Sequence, residues 1–155
     1  MNQKLISSVI DGCAASSGFT RKGSTWYRHD PEVILVVNLQ KSNYGGQYYI
    51  NLGVSPRELT EGEFPRDAQC HLRMRLEGLY EMEQNDPKEV ERVFNLEDSS
   101  LASGEREAAM KTFLSRGIAW LEDLASIENM RRALESKADL RYYTTLKCRR
   151  FLGIE

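Results

Sequence analysis

The chain has 155 residues, 41% apolar and 28% charged, the composition of an ordinary soluble globular protein of one domain spanning residues 1–155. Its formal net charge of −2 lacks the basic excess of a dedicated nucleic-acid binder. Three widely spaced cysteines and a start (residues 1–4) that leads straight into an amphipathic pattern point to a reducing cytosol; the longest apolar string, residues 33–37, is far too short to span a membrane.

Residues 4–16 place Leu5, Ile6, Val9, Ile10 and Cys13 on one helical face, and Gly18 is the stop signal. Residues 19–22 and 25–28 read as strands around the turn Lys22-Gly23-Ser24, followed by a turn at Asp30-Pro31. Residues 33–42 are rich in β-branched side chains and form the strongest strand candidate. Asn43-Tyr44-Gly45-Gly46 supplies the positive-φ positions of a hairpin, and residues 47–54 return as the next strand. Residues 56–66 are a loop. Residues 70–77 alternate, with Cys70, Leu72, Met74 and Leu76 on one side and His71, Arg73, Arg75 and Glu77 on the other, which predicts a further strand.

The second half, residues 81–155, is helical. Asp86-Pro87-Lys88-Glu89 reads as a capping box, with Asp86 as N-cap and Glu89 reaching back. Met110, Phe113, Leu114, Gly117, Leu121 and Leu124 give the longest helix, over residues 105–125, its apolar stripe. Ser126 is expected to cap a shorter helix. Asp139 is expected to cap a last one, with Leu140, Tyr143, Cys148, Phe151 and Leu152 facing inward. The expected architecture is α+β: an N-terminal helix, an antiparallel sheet of about four strands, and a C-terminal helical half packed on the sheet.

Alternation assigns the faces of the sheet. Val33, Leu35, Val37 and Leu39 share one side; Ile34, Val36, Asn38, Gln40 and Ser42 share the other. In the next strand Gln47, Tyr49, Asn51 and Gly53 oppose Tyr48, Ile50, Leu52 and Val54. With Arg73 and Arg75 this gives a polar face of Asn38, Gln40, Tyr49, Asn51, Arg73 and Arg75, with Trp26 or Arg28 at its margin. Tyr, Trp and Arg dominate interface energies, so the face reads as a docking surface. The same pattern also describes the wet side of a half-buried sheet.

The strings GFTRKGSTWYR (18–28), VVNLQKS (36–42), YYINLGV (48–54) and CHLRMRL (70–76) resemble a bacterial family known only as domain of unknown function 4304. The resemblance covers about half the chain and implies a small bacterial α+β protein. It brings no catalytic residues with it.

Catalytic, metal and cofactor motifs are not found. Cys70 and His71 are sequence neighbours, which a strand points to opposite faces, so they make a poor nucleophile–base pair. Cys and His lack zinc-ligand spacing, and residues 42–46 lack the Lys-Ser/Thr of a phosphate loop. Lys147, Arg149 and Arg150 surround Cys148 in sequence and would favour a thiolate, but its place on an apolar stripe favours a core cysteine. Charge is uneven: residues 77–107 hold ten acids and three bases, a net of −7, and residues 129–155 hold seven bases and three acids, a net of +4. The acidic block reads as solvated helix faces, or as a surface that steers a basic partner. The leading expectation is a non-enzymatic protein-binding module, most concretely an immunity protein that blocks a toxin, an analogy drawn from small acidic bacterial proteins. The alternatives are a small-ligand or nucleic-acid module using Arg21, Lys22, Arg28, Arg73 and Arg75, and an enzyme of unrecognised type.

Overall fold

The computed structural model describes residues 3–155; Met1 and Asn2, part of the start read above, lie outside the described residues. Two nine-residue strands, β3 (Val33–Lys41) and β4 (Tyr48–Pro56), form the centre of the sheet. Their hairpin closes as expected, with Gly45 at φ +65° and the Ser42 N–H donating to the Gln47 carbonyl at 2.9 Å. Around them lie β1 (Thr20–Lys22), β2 (Thr25–His29) and β5 (Leu72–Arg75), in the order β1-β2-β3-β4-β5, all antiparallel. The sheet thus has five strands where about four were expected; the outermost, β1, is only three residues long.

The predicted strand over 70–77 is shorter, because only Leu72 to Arg75 pair with β4. Beyond Asn51, the partner of Arg75, the edge of β4 is taken by the segment around residues 94–96. Tyr48 N–H donates to the Phe94 carbonyl at 2.9 Å, and Leu96 N–H to the Gly46 carbonyl at 3.0 Å. With no edge left to pair, Leu76 and Glu77 start a helix, α2 (Leu76–Met82). Cys70 also leaves the alternating set: it packs with Tyr27, Ile34 and Val36 on the face opposite Leu72 and Met74.

The first helix, α1 (Gln3–Ala15), stops at Gly18, whose φ of +80° lets the Phe19 N–H reach the Ala14 carbonyl at 3.0 Å. Next comes α3 (Pro87–Val93), with Pro87 in the first turn and the Asp86 carboxylate accepting from the Lys88 N–H at 2.9 Å. Glu89 does not complete a capping box; its carboxylate pairs with Arg92 at 3.0 Å. The long helix α4 (Ser103–Glu122) lies across the sheet. Gly117 makes that approach possible, since a Cβ there would sit 3.1 Å from Leu76 and 3.3 Å from Leu52. Ser126 caps α5 (Ile127–Ser136) as expected, accepting from the Asn129 N–H at 3.0 Å.

The last predicted helix is broken in two: a 3-10 turn (Ala138–Tyr143) and α6 (Leu146–Phe151), the latter capped by Thr145 rather than Asp139. The edge of β5 causes the break. Thr144 bridges Leu72 and the Thr145 N–H donates to the His71 carbonyl at 2.8 Å, so the chain must be extended where a continuous helix would run. Tyr143, expected to face inward, is consequently exposed. One apolar cluster from Ile6 to Ile154 lies between the helices and the face of Val33, Leu35, Val37 and Leu39.

Candidate functional site

The other face of the sheet divides into two halves. Over one half folds the segment 57–71, which places Cys70 on Tyr27, Ile34 and Val36. Gly53 makes room for it: a Cβ on Gly53 would lie 2.7 Å from the Cys70 Sγ. The flap is pinned at its rim. Arg57 donates its Nε–H to the Asp30 carbonyl at 2.7 Å, Arg73 pairs with Asp67 at 3.3 Å, and the Lys22 ammonium lies 3.9 Å from the Phe64 ring centroid. His71 ties the flap to the last helix, through Thr145 Oγ1 at 2.8 Å and the Leu59 carbonyl at 3.2 Å.

The remaining half is open. Register aligns Thr25, Asn38, Asn51 and Arg75 across four strands, with Gln40 opposite Tyr49. Their side chains form a polar ladder. Asn38 donates to Thr25 Oγ1 at 3.0 Å; Asn51 donates to both Asn38 Oδ1 and Gln40 Oε1 at 3.0 Å. The Arg75 guanidinium lies 3.9 Å from the Tyr49 ring centroid and 3.5 Å from Gln40 Oε1. Asn51 is only 6% exposed, while Asn38 is half-buried and Gln40, Arg73 and Arg75 are exposed. This corner therefore offers prearranged donors and a cation on an aromatic plate, beside a hollow of about 210 Å³ lined by Asn51, Arg73, Met74 and Arg75.

Six of the eight expected site residues meet here; Trp26 and Arg28 do not. Both lie on the helix-covered side, because Trp26 stands opposite Val37 and Arg28 opposite Leu35. Trp26 is 1% exposed and its indole N–H donates to Asp11 at 2.8 Å. Arg28 bridges elements, meeting Asp30 and Glu122, each at 2.8 Å. The alternative basic set is also dispersed. Arg21 and Lys22 sit on β1 and Arg73 and Arg75 on β5, the two opposite edges of a sheet about 19 Å across. Sequence reasoning missed Tyr142, which is 87% exposed and lines a cleft of about 330 Å³ with His71, Arg73 and Thr145. A 3-10 turn carries no helical or strand period, so nothing in the pattern marked it.

Glu77 borders the open corner at the start of α2. Burial raises its carboxyl pKa above the usual 4.5, and Glu91 adds to the rise; its own backbone N–H and Arg75 oppose it. A raised folded-state pKa means the cost appears as pH climbs through and above the ordinary carboxylate range. Glu77→Gln is therefore expected to raise the melting temperature at pH 7. The gain should vanish below about pH 4, where both folded and unfolded Glu77 are protonated. A gain that persists unchanged at low pH would contradict this origin.

The three thiols are free. Burial pushes Cys70 up to about 12, with Asp67 assisting, and Cys148 up to about 11. The basic neighbours of Cys148 in sequence do not outweigh its burial. Cys13 is half-buried, with Ser115 Oγ at 3.9 Å. A chromogenic disulfide reagent at pH 8 is expected to modify Cys13 readily in the folded protein, and Cys70 and Cys148 only after denaturation. Rapid release of three equivalents from the native chain would refute that order. Among the described residues, no group of three His, Cys, Asp or Glu side chains is placed to hold a metal ion. Among them too, no helix is long and apolar enough to cross a membrane.

No curated protein and no solved structure matches the chain. A family model does match, over residues 10–123, and this span extends past the strings first compared to take in α2, α3 and α4. It contains the whole sheet and the open corner, and it ends before α5 and the Tyr142 turn. With well over half of its length matched, the chain belongs to the family described as Domain of unknown function (DUF4304).

Proposed function

We propose that the chain is a non-enzymatic protein-binding module that docks its partner on the open corner of the sheet. In its most concrete form it is a bacterial immunity protein that neutralises a toxin by direct binding. The observation that carries the reading is the Tyr49–Arg75 stack on the Asn38–Asn51–Gln40 ladder. This is a rigid, hydrogen-bonded platform left uncovered while the flap buries the other half of the same face. Among the described residues Arg75 forms no ion pair, and only the charge of nearby Glu77 acts on it, so its guanidinium is available to a partner; Arg73, by contrast, is already paired with Asp67. The toxin reading rests on class analogy and on the acidic block that begins just beyond Arg75. Part of that block is spent internally, Glu83 on Arg116 and Glu89 on Arg92, while Glu81, Glu91, Glu97 and Glu105 are exposed.

The test is affinity capture from the native cells with the bound protein identified by mass spectrometry, followed by Arg75→Glu. Reversal at Arg75 is expected to weaken the captured complex by about tenfold to a hundredfold, the range of an interface arginine, with circular dichroism unchanged. Undiminished affinity in a folded Arg75→Glu variant would remove the corner from the interface.

A further inference from the structure

The polar ladder of the open corner has a direction. A guanidinium can only donate, so the atom that Gln40 turns to the Arg75 Nη2 at 3.5 Å is its oxygen. The same oxygen accepts from Asn51 Nδ2 at 3.0 Å, and the second N–H of that amide goes to Asn38 Oδ1. Asn38 in turn donates to Thr25. The oxygens of Gln40 and Asn38 are thus spent inside the ladder, and the third amide oxygen belongs to Asn51, which is only 6% exposed. Donors are left over at the exposed end. Among the described residues, the Gln40 Nε2 group and the remaining N–H groups of Arg75 meet no acceptor, and both residues are exposed. The Tyr49 ring, 3.9 Å from the guanidinium, holds that fork in place in advance of a ligand.

The neighbouring arginine shows what such a group takes. Arg73 and Arg75 lie on one face of β5, two residues and so roughly 7 Å apart, and both border the hollow of about 210 Å³. The flap answers Arg73 with the Asp67 carboxylate at 3.3 Å. No ion pair answers Arg75, although Glu77 is near enough to act on it. Charge also limits what can dock. The acidic block, net −7, begins at Glu77, and Glu91 is tied to the start of β4, its carbonyl accepting from Gln47 Nε2 at 3.1 Å. An acidic run would be repelled there. A lone carboxylate on an otherwise neutral or basic segment satisfies the donors and keeps its flanks compatible with the block.

We infer that the partner of the corner presents a single Asp or Glu side chain, set in a neutral or basic segment, whose carboxylate takes the Arg75 fork and the Gln40 amide. The inference rests on the docking reading above and names the chemistry of its occupant.

The test is a titration of the native ¹⁵N-labelled chain at low ionic strength with the blocked pentapeptide acetyl-Ala-Ala-Glu-Ala-Ala-amide. It is followed at the Arg75 Nε–H and Gln40 side-chain amide resonances. A saturable shift of both is expected, with an affinity about tenfold above that of the same peptide carrying Gln in place of Glu. Arg75→Lys keeps the charge but loses the fork, and is expected to weaken binding about threefold or more with circular dichroism unchanged. Equal binding of the two peptides, shifts without saturation, or no shift at all would overturn the inference. So would a preference for the all-Ala peptide with a free C-terminal carboxylate, which would assign the site to a chain end. The docking reading is judged separately, by Arg75→Glu in the captured complex. Weakened capture with no response to the Glu peptide would keep the docking surface and end the carboxylate. Undiminished capture with the Glu peptide bound would keep a carboxylate site at Arg75 and end the docking surface.

Discussion

Arg106→Met is expected to destabilise the fold by about 3–5 kcal/mol, a fall of roughly 10 °C or more in melting temperature for a chain of this length. Arg106 is 2% exposed and, among the described residues, forms no ion pair. Its Nη1 donates to the carbonyls of Arg92 at 3.1 Å, Val93 at 2.6 Å and Asn95 at 2.9 Å, and its Nη2 to the carbonyl of Asp98. Val93 ends α3, and the last carbonyls of a helix have no partner within it and carry the negative end of its dipole. Arg106 supplies both the missing donors and the opposite charge. Methionine fills much of the same volume but withdraws the donor from the Val93 and Asp98 carbonyls, while those of Arg92 and Asn95 keep the Asn95 N–H at 3.3 Å and the Asp98 N–H at 3.1 Å. The loss should spread, because the segment held by Arg106 also covers the end of β4. Amide exchange is expected to accelerate at Tyr48 and Leu96, whose N–H groups bond across that junction. Arg106→Lys, which keeps a charge but not the fork, should fall between the two. A melting temperature within about 2 °C of the native value for Arg106→Met would show that the lock is dispensable.

Gly53→Ala is expected to cost about 1–3 kcal/mol by overpacking. The added Cβ would meet the Cys70 Sγ at 2.7 Å and its Cβ at 3.0 Å, and both atoms belong to the flap rather than to a free side-chain end. The flap must lift, which loosens the small cluster of Tyr27, Ile34, Val36 and Cys70. This gives a readout beyond stability: Cys70, shielded in the native chain, should become reactive toward the disulfide reagent while Cys148 stays protected. Adding Cys70→Ala to the variant removes the sulfur and should restore part of the loss, because the two sites are in contact and their effects are not additive. Full stability with Cys70 still protected would mean that the flap does not depend on that close approach.

The open corner was legible because a strand has a period of two. Asn38 and Gln40 alternate with Val37 and Leu39, Tyr49 and Asn51 alternate with Ile50 and Leu52, and the register then aligned them across the sheet. Trp26 and Arg28 were placed wrongly because the phase of the short strand β2 cannot be read without its pairing. Only the match of Thr25 with Asn38 shows that Trp26 shares a face with Val37. Arg106 was invisible for a different reason. In a block rich in Glu and Asp it looks like a solvated base, and what buries it is a helix end that lies beside it only in three dimensions.

By itself, the sequence settled the α+β class, the hairpin at Gly45, the stop of α1 and the start of α3, and which side chains of β3 and β4 point away from the core. These follow from local sterics and short-range periodicity, which act over a few residues. The tertiary structure alone decided which half of the outer face stays uncovered, where the β5 strand gives way to helix, and why the last helix breaks at Thr144. Each of those depends on competition for a shared edge or cavity between segments distant in the chain. The flap takes the space over Gly53, the 94–96 segment takes the end of β4, and the turn at Thr144 takes the edge of β5.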